Sequence, residues 1–382
     1  MRIVLSGIET NNKGAELMLY AILQEIERKY PDAEVYLPVF AVKQGIGYIR
    51  TNVSVKDKPY ANMKRILRKF RVPGILRRLH INYRWLTDIS PVKNTDYFID
   101  GSGFAFSDQW KSTEITVRNW EQHLQGYRKQ GTKIIFLPQA FGPAKMQTTK
   151  DIFAVLNKYA DVIMPRESVS ERYLIDCGLN KSKIKKFTDF TSLVQGEFPQ
   201  QYNHLKDGIC IIPNLRMIDK GVITLDDYIN LLVGIVKSSS VMGKPVYLLN
   251  HEGKGDESLA YKCKEVLSGS IEVVTGLNAL EVKGLIASSY LCISSRFHGV
   301  ASALNSSVPC LSTSWSHKYE ELYKDYGLSD CVLDISDINK CLAKVSDYLS
   351  LETNRNIRNI LDKTVPKIKE ETTEMWKYIW KI

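Results

Sequence analysis

The stretch IVLSGIETNNKGAELMLYAILQEIERKY, residues 3–30, contains the two kinds of element from which the fold is predicted. A short apolar run ends at Leu5, and a loop rich in Gly and Asn follows it. From residue 15 onward, apolar side chains recur at helical spacing, with Met18, Ile22 and Ile26 on one stripe. The stretch therefore predicts a strand, a loop and a helix, the first βα unit of an α/β fold.

The same alternation continues along the chain and restarts once. Further strands are predicted at 34–37, 97–99, 133–137 and 161–164, with helices at 118–130, 150–159 and 168–176. Periodicity lapses in the polar, proline-containing residues 195–207, and a second series of strands begins at 208–212. We expect two Rossmann-like α/β domains, residues 1–200 and 201–350, facing each other across a cleft, with a helical segment 351–382 packing back on the first domain.

Two helices of the second series carry clear start signals. Thr224 precedes Asp227 by three positions, and Asn278 precedes Glu281 in the same way. In this arrangement the first side chain and the carboxylate satisfy backbone amides at the helix start. We therefore predict that these helices begin just after Thr224 and Asn278.

The overall composition is that of a globular protein. The chain has 382 residues, 44% of them hydrophobic and 25% charged. The apolar run at the start is too short for a signal peptide, and no later run approaches a membrane span, so we expect a cytoplasmic, non-spanning protein. Its seven cysteines form no CxxC pair, and no HExxH motif occurs, so we expect reduced core cysteines, no metal and no cofactor.

Most of the net charge of +10 is concentrated in residues 64–84. This basic segment contains Lys and Arg but no acidic residue, and apolar side chains are interleaved with the charges. Such a pattern is typical of a segment that contacts an anionic membrane, and equally of a solvated helix pair packed on its own domain.

The loops that follow the predicted strands hold the chemically distinctive residues. Ligands of open α/β sheets bind beyond the carboxyl ends of the strands. The loops from both halves are NNKG (11–14), DGSG (100–103), PQAFGP (138–143), PRE (165–167), PNLR (213–216), NHE (250–252), SSRFHG (294–299) and SWSHK (314–318).

The loop SSRFHG, residues 294–299, has the strongest functional pattern. It follows a predicted strand and precedes a predicted helix, whose amino end together with Arg296 forms a site suited to phosphate or carboxylate. His298 is then placed for proton transfer. The structural alternative is a buried histidine and a salt-bridged arginine. Arg216 and Lys318 fall on the same predicted sheet edge, although each alone is typical of a solvated surface charge.

Two first-domain loops are also candidates. Gly101 would let the backbone approach a ligand while Asp100 accepts a proton from a hydroxyl, or Asp100 simply caps a turn. The loop at 7–14 matches neither GxGxxG nor a Walker motif, so we expect it to bind without naming a nucleotide.

Taken in order, these loops resemble the polysaccharide pyruvyl transferases. The resemblance rests on the segments NKG (12–14), DGSG (100–103), LPQAFGP (137–143), RES (166–168), NLR (214–216), SRFHG (295–299) and Lys318, and it covers most of the chain. Family members often carry Asp directly after the first glycine, where this chain has Ala15-Glu16, and a second Gly where it has Ser102.

The resemblance implies a GT-B-like fold and transfer of pyruvate from phosphoenolpyruvate to two hydroxyls of a sugar in a cell-surface polysaccharide precursor. A cyclic ketal forms and phosphate is released. It also implies roles for residues: His298 as acid, or as acid and base in turn, and Asp100 as assistant to the sugar hydroxyl. The implied donor ligands are Arg216, Arg296, Lys318, Ser295, Gly299 and Asn214, and the implied acceptor or cleft residues are Asn12, Lys13, Gly14, Gly101, Ser102, Gln139, Arg166, His251 and Glu252.

Two other functions fit parts of the sequence. A nucleotide-sugar glycosyltransferase would use His251-Glu252 and Asp256-Glu257 on ribose hydroxyls. A polyanion-binding module would use the basic segment 64–84, but no nucleic-acid-binding signature is present, so we expect no nucleic acid partner. For the transferase, the expected partners are phosphoenolpyruvate, a sugar or lipid-diphosphate-linked acceptor, and an anionic membrane contacted from the cytoplasm by the basic segment.

Overall fold

The computed structural model describes residues 1–38, 41–58, 91–314 and 318–382. These residues form two compact units. Unit 1 comprises Met1–Asn11, Leu19–Phe187 and Trp376–Ile382, and unit 2 comprises Asn12–Met18 and Thr188–Met375. The basic segment 64–84 lies outside the described residues, so its membrane contact stays a prediction.

Where the structure describes unit 1, it contains a six-stranded parallel sheet. Its strands are β1 (Arg2–Ser6), β2 (Glu34–Leu37), β3 (Ser54–Asp57), β4 (Tyr97–Asp100), β5 (Lys133–Gln139) and β6 (Val162–Pro165). They lie in the order β3-β2-β1-β4-β5-β6, the order of the Rossmann fold. The helices among the described residues of this part of the chain are Lys13–Lys29, Glu114–Arg128, Gln147–Tyr159 and Ser168–Asp176.

Unit 2, apart from the gap at 315–317, repeats this plan with five parallel strands. They are β7 (Ile209–Ile212), β8 (Val246–Leu249), β9 (Glu272–Val274), β10 (Leu291–Ser294) and β11 (Cys310–Ser312), in the order β11-β10-β7-β8-β9. Counted within the unit, this is again the Rossmann order. The helices are Arg216–Asp219, Leu225–Ser240, Gly253–Val266, Ala279–Ala287, Phe297–Asn305, Lys318–Asp325, Ile338–Leu349 and Leu351–Ile379.

The central strands are buried along their whole length. All four residues of β4, β7 and β10 are buried, which is typical of parallel strands covered by helices on both faces. The two predicted helix starts are confirmed, since Thr224 accepts a hydrogen bond from the amide of Asp227 and Asn278 forms a capping box with Glu281. The predicted α/β class with two Rossmann-like domains is confirmed.

The division of the chain differs from the predicted boundaries. Unit 2 begins at Thr188 rather than at 201, because Asp189 and Thr191 already contact helices of unit 2, through His298 and Lys283. Unit 2 also includes Asn12–Met18 from the start of the chain. The helix Leu351–Ile379 belongs to unit 2 up to Met375, and only Trp376–Ile382 belongs to unit 1. Among the described residues, no helix combines the length and apolarity that crossing a membrane requires.

Candidate active site

The turn after β10 places His298 in the first turn of the helix Phe297–Asn305. Ser294 makes this turn, because its hydroxyl oxygen accepts from the amide of Arg296 at 3.1 Å and its hydroxyl donates to the carbonyl of Arg296 at 3.0 Å. Gly299 lets the helix approach the sheet. A Cβ at this position would lie 2.4 Å from the hydroxyl of Ser294 and 2.9 Å from Ile212 Cδ1, so any side chain would push the helix outward.

His298 is held between a carboxylate and a glycine of unit 2. Its Nε2 lies 3.6 Å from Oδ2 of Asp189, within ion-pair range, and the two side chains are 12% and 3% exposed. On the other side, a Cβ on Gly14 would lie 2.2 Å from Nδ1 of His298, so the ring lies against bare backbone. The arrangement fixes the imidazole and places a buried carboxylate where it stabilises the protonated ring.

Arg296 is engaged by two carboxylates. Its Nε and Nη2 donate to the two oxygens of Asp256, each at 2.7 Å, and its Nη1 donates to Glu252. Burial lowers the pKa of Arg296, but the charges of Asp256 and Glu252 outweigh it and the net shift is upward. This is the salt-bridged arginine of the structural alternative. Each of the three guanidinium nitrogens already binds a carboxylate, which leaves two of the five N–H groups, so contact of Arg296 with the donor stays a prediction.

The segment Asn12–Met18 contributes polar groups to the same unit. Asn12 donates to the carboxylate of Glu252 at 3.1 Å and accepts from the amide of Gly14 at 2.8 Å. Lys13 Nζ lies 2.6 Å from a carboxylate oxygen of Glu16, which is fully buried. The other oxygen of Glu16 accepts from the amide of Ala279 at 3.3 Å. We predicted these loop residues in the first domain, but their contacts place them in unit 2.

Asn214 and Ser295 join the ends of β7 and β10. The side-chain amide of Asn214 donates to the carbonyl of Ser295 at 2.7 Å, and Tyr319 donates to the same carbonyl at 2.8 Å. The hydroxyl of Ser295 lies 2.6 Å from Tyr228 Oη and accepts from Thr313 at 2.6 Å. These polar groups are used within the protein, so the structure gives Asn214 and Ser295 a bracing role and does not support them as donor ligands.

Arg216 and Lys318 lie at the same sheet edge in different surroundings. Arg216 begins the helix Arg216–Asp219, its side chain is 49% exposed, and Nη1 lies 3.3 Å from Asp219. Lys318 begins the helix Lys318–Asp325 and is nearly buried, with Nζ 5.5 Å from the ring centre of Phe297. Arg216 is therefore accessible to a ligand, whereas Lys318 is packed against the helix that holds His298.

His251 follows β8 and is buried. Its carbonyl accepts from the amide of Lys13 at 3.4 Å. Burial lowers the pKa of His251 well below its usual range, and the positive charges of Arg296, His298 and Lys13 act in the same direction. We therefore assign His251 a neutral ring at physiological pH.

The predicted residues of unit 1 form a separate buried set. Asp100 is fully buried, and its Oδ1 accepts from the amide of Ser102 at 3.1 Å and from Gln139 at 3.3 Å. Burial raises the pKa of Asp100, against the opposing effect of hydrogen bonds from Ser102, Gln139 and Ser6. A carboxyl with this burial does not fit contact with a sugar hydroxyl. It fits the alternative that we gave at the start, an aspartate that holds a turn.

The other unit 1 candidates belong to the same sheet edge. Gly101 lies against apolar side chains, and a Cβ there would be 2.9 Å from Ile22 Cδ1. Arg166 is buried, and its amide donates to the carbonyl of Gln139 at 3.0 Å, which joins the ends of β5 and β6. Close packing therefore explains the residue type at Gly101, and the hydrogen bond to Asp100 explains that at Gln139.

The structure brings together in unit 2 a group that sequence reasoning assigned to separate domains. It comprises Asn12, Lys13, Gly14, Asn214, Arg216, His251, Glu252, Ser295, Arg296, His298, Gly299 and Lys318. Sequence reasoning missed Asp189, Glu16 and Lys283. Asp189 lies in a segment without periodicity, but Lys283 was detectable as a single lysine among the apolar residues of a predicted helix.

Comparison with known proteins supports both the fold and the family. A family model described as polysaccharide pyruvyl transferase matches residues 12–317. No curated protein matches the sequence. The chain is similar to the UDP-GlcNAc 2-epimerase of Neisseria meningitidis bound to UDP-GlcNAc, with a TM-score of 0.62, 10% identity and 100% of both chains covered. It is also similar to Anabaena HepE in complex with UDP and glucose, with a TM-score of 0.57, 11% identity, and 99% of this chain and 100% of that chain covered.

Identities this low show a shared fold alone, and that fold agrees with the predicted GT-B-like class. The family match is more informative, because it begins at Asn12 and includes the turn that holds His298. The match indicates that the protein is a transferase. The chain belongs to the polysaccharide pyruvyl transferase family.

Proposed function

We propose that the protein transfers pyruvate from phosphoenolpyruvate to two hydroxyls of one sugar in a polysaccharide precursor, forming a cyclic ketal and releasing phosphate. The observation that carries this proposal is the His298–Asp189 pair at the start of the helix Phe297–Asn305. It supplies a fixed proton donor backed by a buried carboxylate, which addition to an enol phosphate requires.

In the proposed reaction, a proton transfer accompanies each bond that forms or breaks. Protonated His298 delivers its proton to the methylene carbon of phosphoenolpyruvate, while a sugar hydroxyl forms a C–O bond to the adjacent carbon. The hydroxyl proton then returns to the imidazole. In the second half, His298 gives this proton to the phosphate as it leaves, the second hydroxyl adds to the same carbon and closes the ring, and the proton of that hydroxyl returns to the imidazole. Asp189 stabilises the charged imidazole in each cycle.

We assign donor binding to Arg216, Lys318 and the amino end of the helix Phe297–Asn305. The helix end favours an anion, and the cations lie on the same sheet edge. The exposed pair of Arg216 with Asp219 is worth about 0–1 kcal/mol, so a phosphate or carboxylate displaces Asp219 at little cost. Arg296 instead holds Glu252 and Asp256 in place beside the turn.

The nucleotide-sugar alternative receives less support from the same contacts. The carboxylates of Glu252 and Asp256 would have to bind ribose hydroxyls, yet both are occupied by the guanidinium of Arg296. We therefore retain phosphoenolpyruvate as donor and a sugar or lipid-diphosphate-linked oligosaccharide as acceptor.

Product analysis tests this function. The enzyme is incubated with phosphoenolpyruvate and candidate glycans, and inorganic phosphate and glycan mass are followed together. We expect one phosphate per pyruvate ketal gained, and His298→Gln to lower the rate about 10²–10⁴-fold, since it removes the acid. Lys363→Met, an exposed lysine, is the control with unchanged rate. Release of a nucleoside diphosphate from a nucleotide sugar, with no use of phosphoenolpyruvate, would contradict the proposal.

A further inference from the structure

Lys283 is a lysine with almost no exposed surface. It lies in the helix Ala279–Ala287 of unit 2 and is 2% exposed. The helix is held close to the chain that follows the Asp189 turn, because a Cβ on Gly284 would lie 2.2 Å from the carbonyl of Glu197. The amide of Glu197 also donates to the carbonyl of Leu280 at 2.9 Å. The position of Lys283 is therefore fixed by backbone packing.

A chain of contacts links Lys283 to His298. Lys283 Nζ donates to the carbonyl of Thr191 at 2.9 Å. The amide of Thr191 donates to Oδ1 of Asp189 at 3.0 Å, and the Thr191 hydroxyl donates to the same oxygen. The other oxygen of Asp189 faces Nε2 of His298. One buried carboxylate thus lies between two groups that carry a proton.

Burial of a lysine is costly unless its charge is compensated. Here burial lowers the pKa of Lys283 to about 7, with Asp189 acting against the shift and Lys369 adding to it. An uncharged residue of the same length would fill this space without that cost. The presence of a lysine therefore indicates a role for its amine.

We propose that Lys283 is a positioning residue that holds the Thr191–Asp189 turn and, by sharing the charge of Asp189 with His298, sets the pH at which His298 gives up its proton. This inference rests on the proposed function, in which His298 is the acid. It adds a group that does not touch the substrates.

The other charged and titratable groups around this chain lie on several elements. Lys369 faces Lys283 from the terminal helix. Tyr326 and Glu371 lie on the side of Asp189, where Glu371 accepts from the amide of Thr188 at 3.1 Å. His251 faces His298 from the loop after β8. None of these groups changes in the variants below, so their effect is the same in each protein.

The charge of Lys283 determines the direction in which it shifts the pH at which His298 loses its proton. A protonated Lys283 disfavours a second positive charge on His298 and shares the negative charge of Asp189. Lys283→Met removes that competitor, so His298 keeps its proton to a higher pH. Because Lys283 is charged mainly below about pH 7, the effect is largest there.

The test follows the ring of His298 directly by NMR in labelled full-length protein, and in parallel the pH profile of phosphate release. We expect Lys283→Met to move both midpoints upward, by on the order of half a pH unit. Asp189→Asn keeps an oxygen for Thr191 but removes the charge, so we expect the opposite shift. Lys363→Met, an exposed lysine of the terminal helix, should move neither midpoint.

An unchanged His298 midpoint in a folded Lys283→Met protein would overturn the inference. If that variant does not fold, an unchanged midpoint in Asp189→Asn overturns it instead. The NMR titration needs no turnover. Absence of phosphoenolpyruvate turnover in the wild type therefore contradicts the proposed function while the ring titration still decides the role of Lys283.

Discussion

The carboxyl ends of the strands are built differently in the two units. In unit 1 the buried carboxyl of Asp100 has neutral partners, the amide of Ser102 and the side chain of Gln139. In unit 2 the buried carboxylates face basic groups, as Asp256 faces the guanidinium of Arg296 and Asp189 faces the imidazole of His298. The comparison teaches that the same sheet order can carry two kinds of edge. The edge in unit 1 stabilises loops through hydrogen bonds to neutral groups. The edge in unit 2 pairs buried carboxylates with basic side chains.

The largest expected effect comes from breaking a charge pair of unit 2. Arg296→Met would leave Asp256 and Glu252 without their cation, and we expect a loss of about 3–5 kcal/mol in the free energy of unfolding. Urea unfolding followed by circular dichroism measures it. Arg216→Met is the matched control, because its exposed pair with Asp219 predicts a loss of about 1 kcal/mol or less. Equal losses in the two variants would contradict the role of the buried pair.

Substitutions of two glycines, one at each edge, are expected to affect different properties of the protein. Gly14→Ala puts a methyl group 2.2 Å from Nδ1 of His298, and we expect the displaced ring to lower turnover about 10- to 100-fold with little change in Tm. Gly7→Ala in unit 1 meets Ser102 at a positive φ of 72°, and we expect a stability loss of about 1–3 kcal/mol. Rate assays and thermal unfolding on both variants provide the check. The reverse pattern, with Gly14→Ala unfolded and Gly7→Ala inactive but stable, would refute this division of roles.

The smallest expected effect concerns the pH dependence of unit 1. Burial raises the pKa of Asp100 in the folded state, so the unfolded chain releases this proton at lower pH. The carboxyl therefore lowers the stability of the fold as the pH rises above the pKa that Asp100 has in the unfolded chain. Asp100→Asn keeps an oxygen for Ser102 and Gln139 and removes that cost. We expect the Tm of the variant relative to wild type to increase as the pH rises above the ordinary pKa of an aspartate carboxyl. A difference that does not depend on pH would count against a buried, titrating carboxyl.

Sequence reasoning located the strand ends well because parallel strands are short, apolar and followed by loops with unusual residues. β10 and the helix after it illustrate this, since the residues 294–299 were read as a strand–turn–helix and the structure has that order. The helix begins at Phe297, inside the segment 294–299 that we placed before it, because Ser294 closes the turn through the backbone of Arg296.

The partners of the predicted residues were less accessible to sequence reasoning. A strand pattern places Arg296 at a sheet edge. Whether its side chain binds a ligand or Asp256 depends on the position of a different helix, Gly253–Val266. Likewise, the assignment of Asn12 to unit 2 depends on its long-range contact with Glu252. Asp189 gave no signal because its role depends on the distance to a residue more than a hundred positions away.

The end of the chain completes the unit that is synthesised first. Trp380 packs edge-on against Tyr30 and Tyr97, each with ring centres 5.3 Å away, and its indole donates to Glu25 at 2.8 Å. During translation these three partners leave the ribosome long before the tryptophan does. Unit 1 therefore keeps an uncovered aromatic surface until the segment with Trp380 has been synthesised, so a truncation before Trp380 would interfere with the folding of residues made much earlier.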